Sequence, residues 1–244
     1  MKKDEWFGEW FDSPYYHILY RHRDHSEAQH FIDNLIEHLK FTEDDLILDL
    51  ACGKGRHSTY LNHIGFNVVG VDLSKQNIEY ASQYANDRLH FLIRDMREPL
   101  QAGTFDFVLN LFTSFGYFAS SEENLRAIQN VKNSLKPGGL FVLDFLNPYV
   151  VINELVSEEI KLIDGIEFHI NKSQSSDGYI VKMIEFDDRG DSFSYHEKVK
   201  AIRRVEFLDY FNKANLTVVN IFGDYELNPY DCEKSERMVF VVKN

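Results

Sequence analysis

The stretch Leu46–Leu61, LILDLACGKGRHSTYL, ends an apolar run on an acid, then adds a small residue, a cysteine and two glycines. Those residue types at that spacing suit a ligand-binding loop. Gly53 and Gly55 let a ligand approach the backbone, and a helix starting behind them offers free N–H groups. Asp49, just ahead of them, places a carboxylate where a cationic or hydroxyl-bearing ligand can meet it. Asp72 ends the run VVGVD and Asp95 follows in IRDMRE, so three acids sit at three successive strand ends. A carboxylate in the second of these places can accept both hydroxyls of a ribose, and ligands of open α/β sheets bind at that edge. A dinucleotide would ask for G-x-G-x-x-G. Here the frame runs Gly53, Gly55, Ser58, and the last glycine is absent. An acid at Asp49 would be awkward beside a pyrophosphate, whereas it suits a ligand carrying an ammonium and a sulfonium. A nicotinamide oxidoreductase is disfavoured on both grounds.

The elements that must hold these residues alternate. SEAQHFIDNLIEHLKF reads as a helix capped by Ser26, with Phe31, Leu35, Ile36 and Leu39 on one face. DLILDLA is a strand, and KGRHSTYLNHIG a helix ended by Gly65. FNVVGVD, LHFLIRD, FDFVLNLF and LFVLDFLN read as further strands. Between them lie a helix capped by Ser74 and a helix SEENLRAIQNVKNSLK stopped by PGG. Apolar strands alternating with helices predict a parallel sheet covered on both faces. The rhythm breaks after Pro148. GIEFHINKSQ, GYIVKMIEFDDRG and DSFSYHEKVKAI, joined by turn signals, predict an antiparallel insertion. A helix near RVEFLDYFNKAN and strands LTVVNIF and RMVFVVK close the chain. Neither an internal repeat nor a low-complexity segment is present.

Taken together, ILDLACGKGRH, VVGVDLS, IRDM, FDFVLNLFTSFGYF and LKPGGLFVLDF resemble, in order and spacing, the class I S-adenosylmethionine-dependent methyltransferases. The resemblance covers Leu46–Phe145, and the C-terminal pair of strands looks like the reversed last hairpin of that fold. It implies a doubly wound, seven-stranded, mostly parallel sheet, a Rossmann-like methyltransferase fold carrying a small antiparallel β insertion. It implies S-adenosylmethionine as cofactor. Asp49, Ala51, Cys52 and Gly53 would then line its methionine part, with Gly53 and Gly55 giving backbone approach. Asp72 would hold the ribose with Leu73 beside the adenine, Asp95 and Met96 would meet the adenine, and Asn110 would sit by the methionine amino group. Tyr16 and Tyr20, spaced i, i+4, share one helical face. Related methyltransferases often close the cofactor site with such a tyrosine-bearing segment, while packing of the first helix is the alternative. The implied division is residues 1–25 as an N-terminal lid, 26–147 and 203–244 as the cofactor-binding core, and 148–202 as the insertion, a cover for the acceptor.

The net charge of −13 repels phosphate backbones and argues against a nucleic-acid partner. Cys52 and Cys232 are too few for a disulfide framework and lie in no metal-binding cluster, so no metal is expected. Cys52 reads as a small loop residue rather than a nucleophile. The N-terminal sequence has no apolar signal core and no run approaches a membrane span, which predicts a cytoplasmic location without membrane attachment. Ten histidines are scattered; His17, His22, His25 and His30 define no ligand face, and His57 sits in the helix behind the glycines as a packing or capping residue. Two NPY triplets, Asn147–Tyr149 and Asn228–Tyr230, resemble the N-P-P-Y loop of base-amine methyltransferases but follow the wrong strand or read as turns. The expected activity is methyl transfer to a small soluble acceptor by a monomer or homodimer. The competing reading is a non-catalytic cofactor- or partner-binding protein on the same fold. No strong general base is visible; the candidates are Tyr117, Asp144 and His196. Tyr149, Phe168, His169, Tyr195 and His196 of the insertion are expected to line an acceptor pocket.

Overall fold

The computed structural model describes residues 10–20 and 25–244. The expected lid is therefore described in part, and His22 lies outside the described residues, as does the side chain of His25. The chain runs α1 (Pro14–Leu19), α2 (His25–Leu39), β1 (Leu46–Leu50), α3 (Arg56–His63), β2 (Asn67–Asp72), α4 (Lys75–Ala81) and β3 (Leu89–Ile93). It continues with β4 (Phe105–Asn110), α5 (Ser121–Ser134), β5 (Leu135–Leu146) and α6 (Pro148–Asn153). The insertion strands β6 (Glu158–Ile163), β7 (Ile166–Gln174), β8 (Tyr179–Asp188) and β9 (Asp191–Lys200) follow, then α7 (Arg204–Lys213), β10 (Thr217–Phe222) and β11 (Arg237–Lys243).

Seven strands form one sheet in the order β10-β11-β5-β4-β1-β2-β3. β1 through β5 are parallel, and β11 runs antiparallel to both β5 and β10. The two faces bury separate cores. Phe31, Ile32 and Leu35 of α2 and Leu61 of α3 cover one. Ala127, Ile128 and Val131 of α5 with Phe207 and Phe211 of α7 cover the other. The strands read as unbroken apolar runs because both faces are covered.

Local chemistry sets the boundaries. Ser74 caps α4 by accepting the Asn77 N–H. α2 starts at His25, one residue before the expected Ser26 cap. α5 stops at Ser134, and LKPGG belongs to β5, which is longer than its apolar core suggests. The residue before Pro137 is pushed toward extended backbone, and Leu135 pairs with Phe105. Pro148 both ends β5 and opens α6, which Asn147 caps. The Asn147 amide also donates to the Cys232 and Ser235 carbonyls, so the first NPY triplet is structural.

The insertion is a four-stranded antiparallel sheet, β6-β7-β8-β9, one strand more than the pattern predicts. One face carries Ile166, Phe168, Ile170, Ile184 and Phe186, and the residues that bury it include Trp10 and Leu19. The described N-terminal segment and the insertion thus share a single small core.

Candidate functional site

The carboxyl ends of β1, β2 and β4 converge. Asp49 pairs in register with Gly70 of β2 and Leu109 of β4, so all three strands end at one edge. Asp49 is buried and accepts the Ser58 hydroxyl at 2.6 Å. Burial pushes its carboxyl up to about 6, against the Ser58 hydrogen bond and with repulsion from Asp72. Behind it Ala51 and Gly53 take left-handed backbone, with φ of 63° and 55°. The turn delivers the Gly53 N–H to Asp72 Oδ2 at 2.8 Å, while Ser74 N–H donates to Asp72 Oδ1 at 2.8 Å. Burial raises Asp72 above its ordinary value against those two N–H groups. Gly55 caps α3 with φ 76°, and a Cβ there would lie 2.7 Å from the Phe91 ring. A Cβ on Gly53 would meet nothing within 4 Å, so that side of the loop is open. Cys52 is buried, and burial together with Asp49 holds its thiol well above the usual range, against any nucleophilic role.

Asn110 ends β4 with no exposed surface. Its Nδ2 donates to the Leu50 carbonyl at 2.9 Å. Its Oδ1 is buried without a partner in the protein. Buried acceptors are rarely left so, and a ligand N–H is the natural complement. Asp49, the open Gly53 turn, Asp72 and this orphaned oxygen fit S-adenosylmethionine: an ammonium for Asn110 and Asp49, a ribose for Asp72.

The third strand end is more occupied. Asp95 accepts Arg97 Nε at 3.0 Å on both oxygens, Nη2 at 2.6 Å and the Arg97 N–H at 2.8 Å. Burial acts to raise its carboxyl, and the Arg97 hydrogen bonds outweigh it, leaving Asp95 below its ordinary value. A purine amino group meeting Asp95 would share the carboxylate with Arg97. Leu73 and Met96 are half-buried, and the Met96 carbonyl accepts Asn130 Nδ2.

The two N-terminal tyrosines divide. Tyr20 donates to Glu197 Oε1 at 2.6 Å and its ring lies 4.8 Å from Lys182 Nζ, so it is tied to the insertion sheet. Tyr16 packs edge-on to Trp10 and Phe11 at 5.6 and 5.1 Å. The segment reaches the cofactor loop through other residues. Ser74 Oγ donates to Asp12. His17 lies near Lys54, and burial with that charge lowers it to about 4, so it is neutral at physiological pH.

Each base candidate has its own surroundings. Tyr117 donates to the Thr113 carbonyl at 2.7 Å and its ring faces Phe11 at 5.6 Å. Asp144 has no exposed surface and is held by Arg237, whose Nη2 lies 2.8 Å from Oδ1. Both its oxygens are taken up within the protein, by Arg237 and by the Phe112 N–H, which counts against its reading as a base. His196 is exposed, paired in register with Met183. The five-residue pocket expected on the insertion is not assembled. Phe168 and Tyr195 face the N-terminal segment, His169 is exposed and bound to Glu167, and Tyr149 is half exposed on α6. His57 stacks on Phe112 at 4.9 Å and accepts from Arg56, a packing role. Among the described residues no group of three His, Cys, Asp or Glu is placed to hold a metal ion, and no helix is long and apolar enough to cross a membrane.

Sequence reasoning missed Trp10, Asp12, Glu197 and Arg237. The available signal was an arginine opening an otherwise apolar last strand, and a tryptophan in an aromatic-rich N-terminal stretch.

A methyltransferase-domain family model matches residues 47–139, which span β1 through the start of β5. A putative methyltransferase of Bacillus subtilis (strain 168) is 36% identical over 105 residues, 42% of each chain, so the match spans less than half of that relative. The glycine/sarcosine N-methyltransferase of Aphanothece halophytica is 26% identical over 216 residues, 86% of this chain and 78% of that one. The crystal structure of an S-adenosylmethionine-dependent methyltransferase from Clostridium acetobutylicum superposes with a TM-score of 0.78 at 22% identity, over 94% and 95% of the two chains. Residues 47–139 thus match a methyltransferase domain, and they lie on the doubly wound sheet and glycine turn that the class I S-adenosylmethionine-dependent methyltransferase resemblance implies.

Proposed function

We propose that this chain transfers the methyl group of S-adenosylmethionine to an amine nitrogen of a small soluble acceptor. The observation that carries the reading is the buried Asn110 oxygen, unpartnered beside Asp49 at the edge where Asp72 and the open Gly53 turn also lie. The amine follows from similarity to a glycine/sarcosine N-methyltransferase along most of the chain. The cofactor, when bound, supplies an electrophilic methyl on a sulfonium. The chain's share is to bind, orient and exclude water. Asp72 accepts ribose hydroxyls, and Asp49 and Asn110 offer oxygens to the ammonium. Alignment of two reactants in a closed site is worth up to about 7–11 kcal/mol, so a strong general base is not required. Phe11, Tyr16 and Tyr117 supply the apolar cover.

Calorimetry with S-adenosylmethionine, S-adenosylhomocysteine and NAD, followed by S-adenosylhomocysteine release with a panel of amines, tests the reading. Binding of the first two ligands and product with at least one amine is expected. Saturable NAD binding without S-adenosylmethionine binding would overturn it. Tight cofactor binding with no product from any acceptor would favour the non-catalytic alternative.

A further inference from the structure

The loop after β4 holds two consecutive non-glycine residues in left-handed backbone, Phe112 at φ 56° and Thr113 at φ 58°. An aromatic and a β-branched residue adopt that conformation only when their surroundings impose it. Here the imposition is traceable. The Phe112 N–H donates to Asp144 Oδ2 at 2.7 Å, and the Thr113 N–H to the Asp144 carbonyl at 3.2 Å. Arg237 Nη2 donates to Thr113 Oγ1 at 2.8 Å while its Nε donates to Asp144 Oδ1 at 2.9 Å. The Tyr225 hydroxyl reaches Asp144 Oδ2 at 3.3 Å and its ring lies 5.5 Å from the guanidinium.

The strained loop is also where every part of the acceptor side meets. It begins one residue past Asn110. Its Tyr117 faces Phe11 of the N-terminal segment. Its Gly116 carbonyl accepts the Lys200 N–H of the insertion at 2.8 Å, and its Phe118 carbonyl accepts the Tyr179 hydroxyl at 3.4 Å. We propose that Asp144 and Arg237 form a positioning pair that holds the Phe112–Phe118 loop in its strained form and so sets the acceptor side of the site, while cofactor affinity stays with the Asp49–Asp72 side. The proposal rests on the methyl-transfer reading. Asp144 then acts through the loop and touches neither reactant.

Replacing Arg237 would leave Asp144 buried and unpaired and could unfold the chain. Thr113 is the gentler handle. Thr113→Val removes only the hydroxyl that Arg237 grips, Thr113→Ser keeps it, and Thr113→Gly relieves the strain. All are made in the full chain, with glycine and sarcosine as probe amines. Thr113→Val and Thr113→Gly are expected to lower kcat at least 10-fold with S-adenosylmethionine Kd within 3-fold of wild type, and Thr113→Ser to restore kcat. With S-adenosylhomocysteine present, Thr113→Val should speed amide hydrogen exchange at residues 112–118 at least 10-fold, with β1 and β5 unchanged. Unchanged exchange in the loop overturns the clamp, whatever the turnover. Loss of cofactor affinity in step with kcat overturns the division of labour. A wild type that binds the cofactor and yields no S-adenosylhomocysteine from either of these or from the wider amine panel counts against the methyl-transfer reading instead, and the exchange result still decides the clamp.

Discussion

Asp49 and Asp72 carry the most chemistry per atom. Asp49 is buried and Asp72 half-buried, and both acids are raised above their ordinary values, a state that a cationic or hydroxyl-bearing ligand can reward. Asp72→Ala should weaken S-adenosylmethionine binding by one to two decades, the loss of charge-assisted hydrogen bonds worth about 1.5–3 kcal/mol. Circular dichroism of the variant should remain that of a folded chain; a folded variant with unchanged affinity would remove the ribose assignment. Asp49 gives a pH dependence with a definite sign. Its pKa rises from an ordinary 3.8 to about 6 on folding, so the folded state holds that proton more tightly. The stability it contributes is full below pH ~4 and is lost as pH rises through about 6. An ammonium bound beside it reverses the preference and expels the proton. Cofactor affinity should therefore increase with pH up to about 6 and then level off. Calorimetry at pH 6 in buffers of different ionisation enthalpy should report proton release, and Asp49→Asn should abolish it. Buffer-independent heats in the wild type would contradict this coupling.

Among the elements, the turn from β1 into α3 is the most tightly specified. Gly53 and Gly55 both carry positive φ, and only Gly55 is crowded, by Phe91 and Ala81. Gly53→Ala should then cost about 1–2 kcal/mol for the left-handed backbone alone. Gly55→Ala should cost about 2–5 kcal/mol, because overpacking against the Phe91 ring adds to that strain. At about 2–4 °C per kcal/mol for a chain of this size, the two melting temperatures should separate in a thermal scan. Equal shifts would mean that the close helix–strand contact is not what fixes the second glycine. This turn was legible in the sequence because its determinants are local: an apolar run ending on an acid, then two glycines. β6 was not, since EEIKLI alternates charge with apolar residues too briefly to stand out. Its turn was readable nonetheless: Asp164 and Gly165 both have positive φ, the two-residue connection that a hairpin favours. What Arg237 and Glu197 bind was beyond reach for a different reason. Their partners Asp144, Trp10 and Tyr20 lie 93, 187 and 177 residues away, and only the fold brings them together.

Taken whole, the molecule is a seven-stranded sheet with a second, four-stranded sheet inserted after β5, and the N-terminal segment ties the two. Trp10 buries its ring against Tyr195 at 4.7 Å and donates Nε1 to Glu197 at 2.7 Å. Ser74 of the cofactor edge donates to Asp12, two residues further on. A segment joined to both sheets ties the insertion's order to residues 162 to 187 positions away. Trp10→Ala should remove about 3–5 kcal/mol of packing, concentrated in the small core it completes. Hydrogen exchange mapped by mass spectrometry should then show faster exchange in β7, β8 and β9, while β1, β4 and β5 keep their protection. Glu197→Gln provides the milder comparison, because the amide oxygen still accepts from Trp10 and Tyr20, and a smaller change in the same strands is expected. Uniform acceleration across both sheets would show that the chain unfolds as one unit. No acceleration in the insertion would mean that its four strands hold their core without the N-terminal segment.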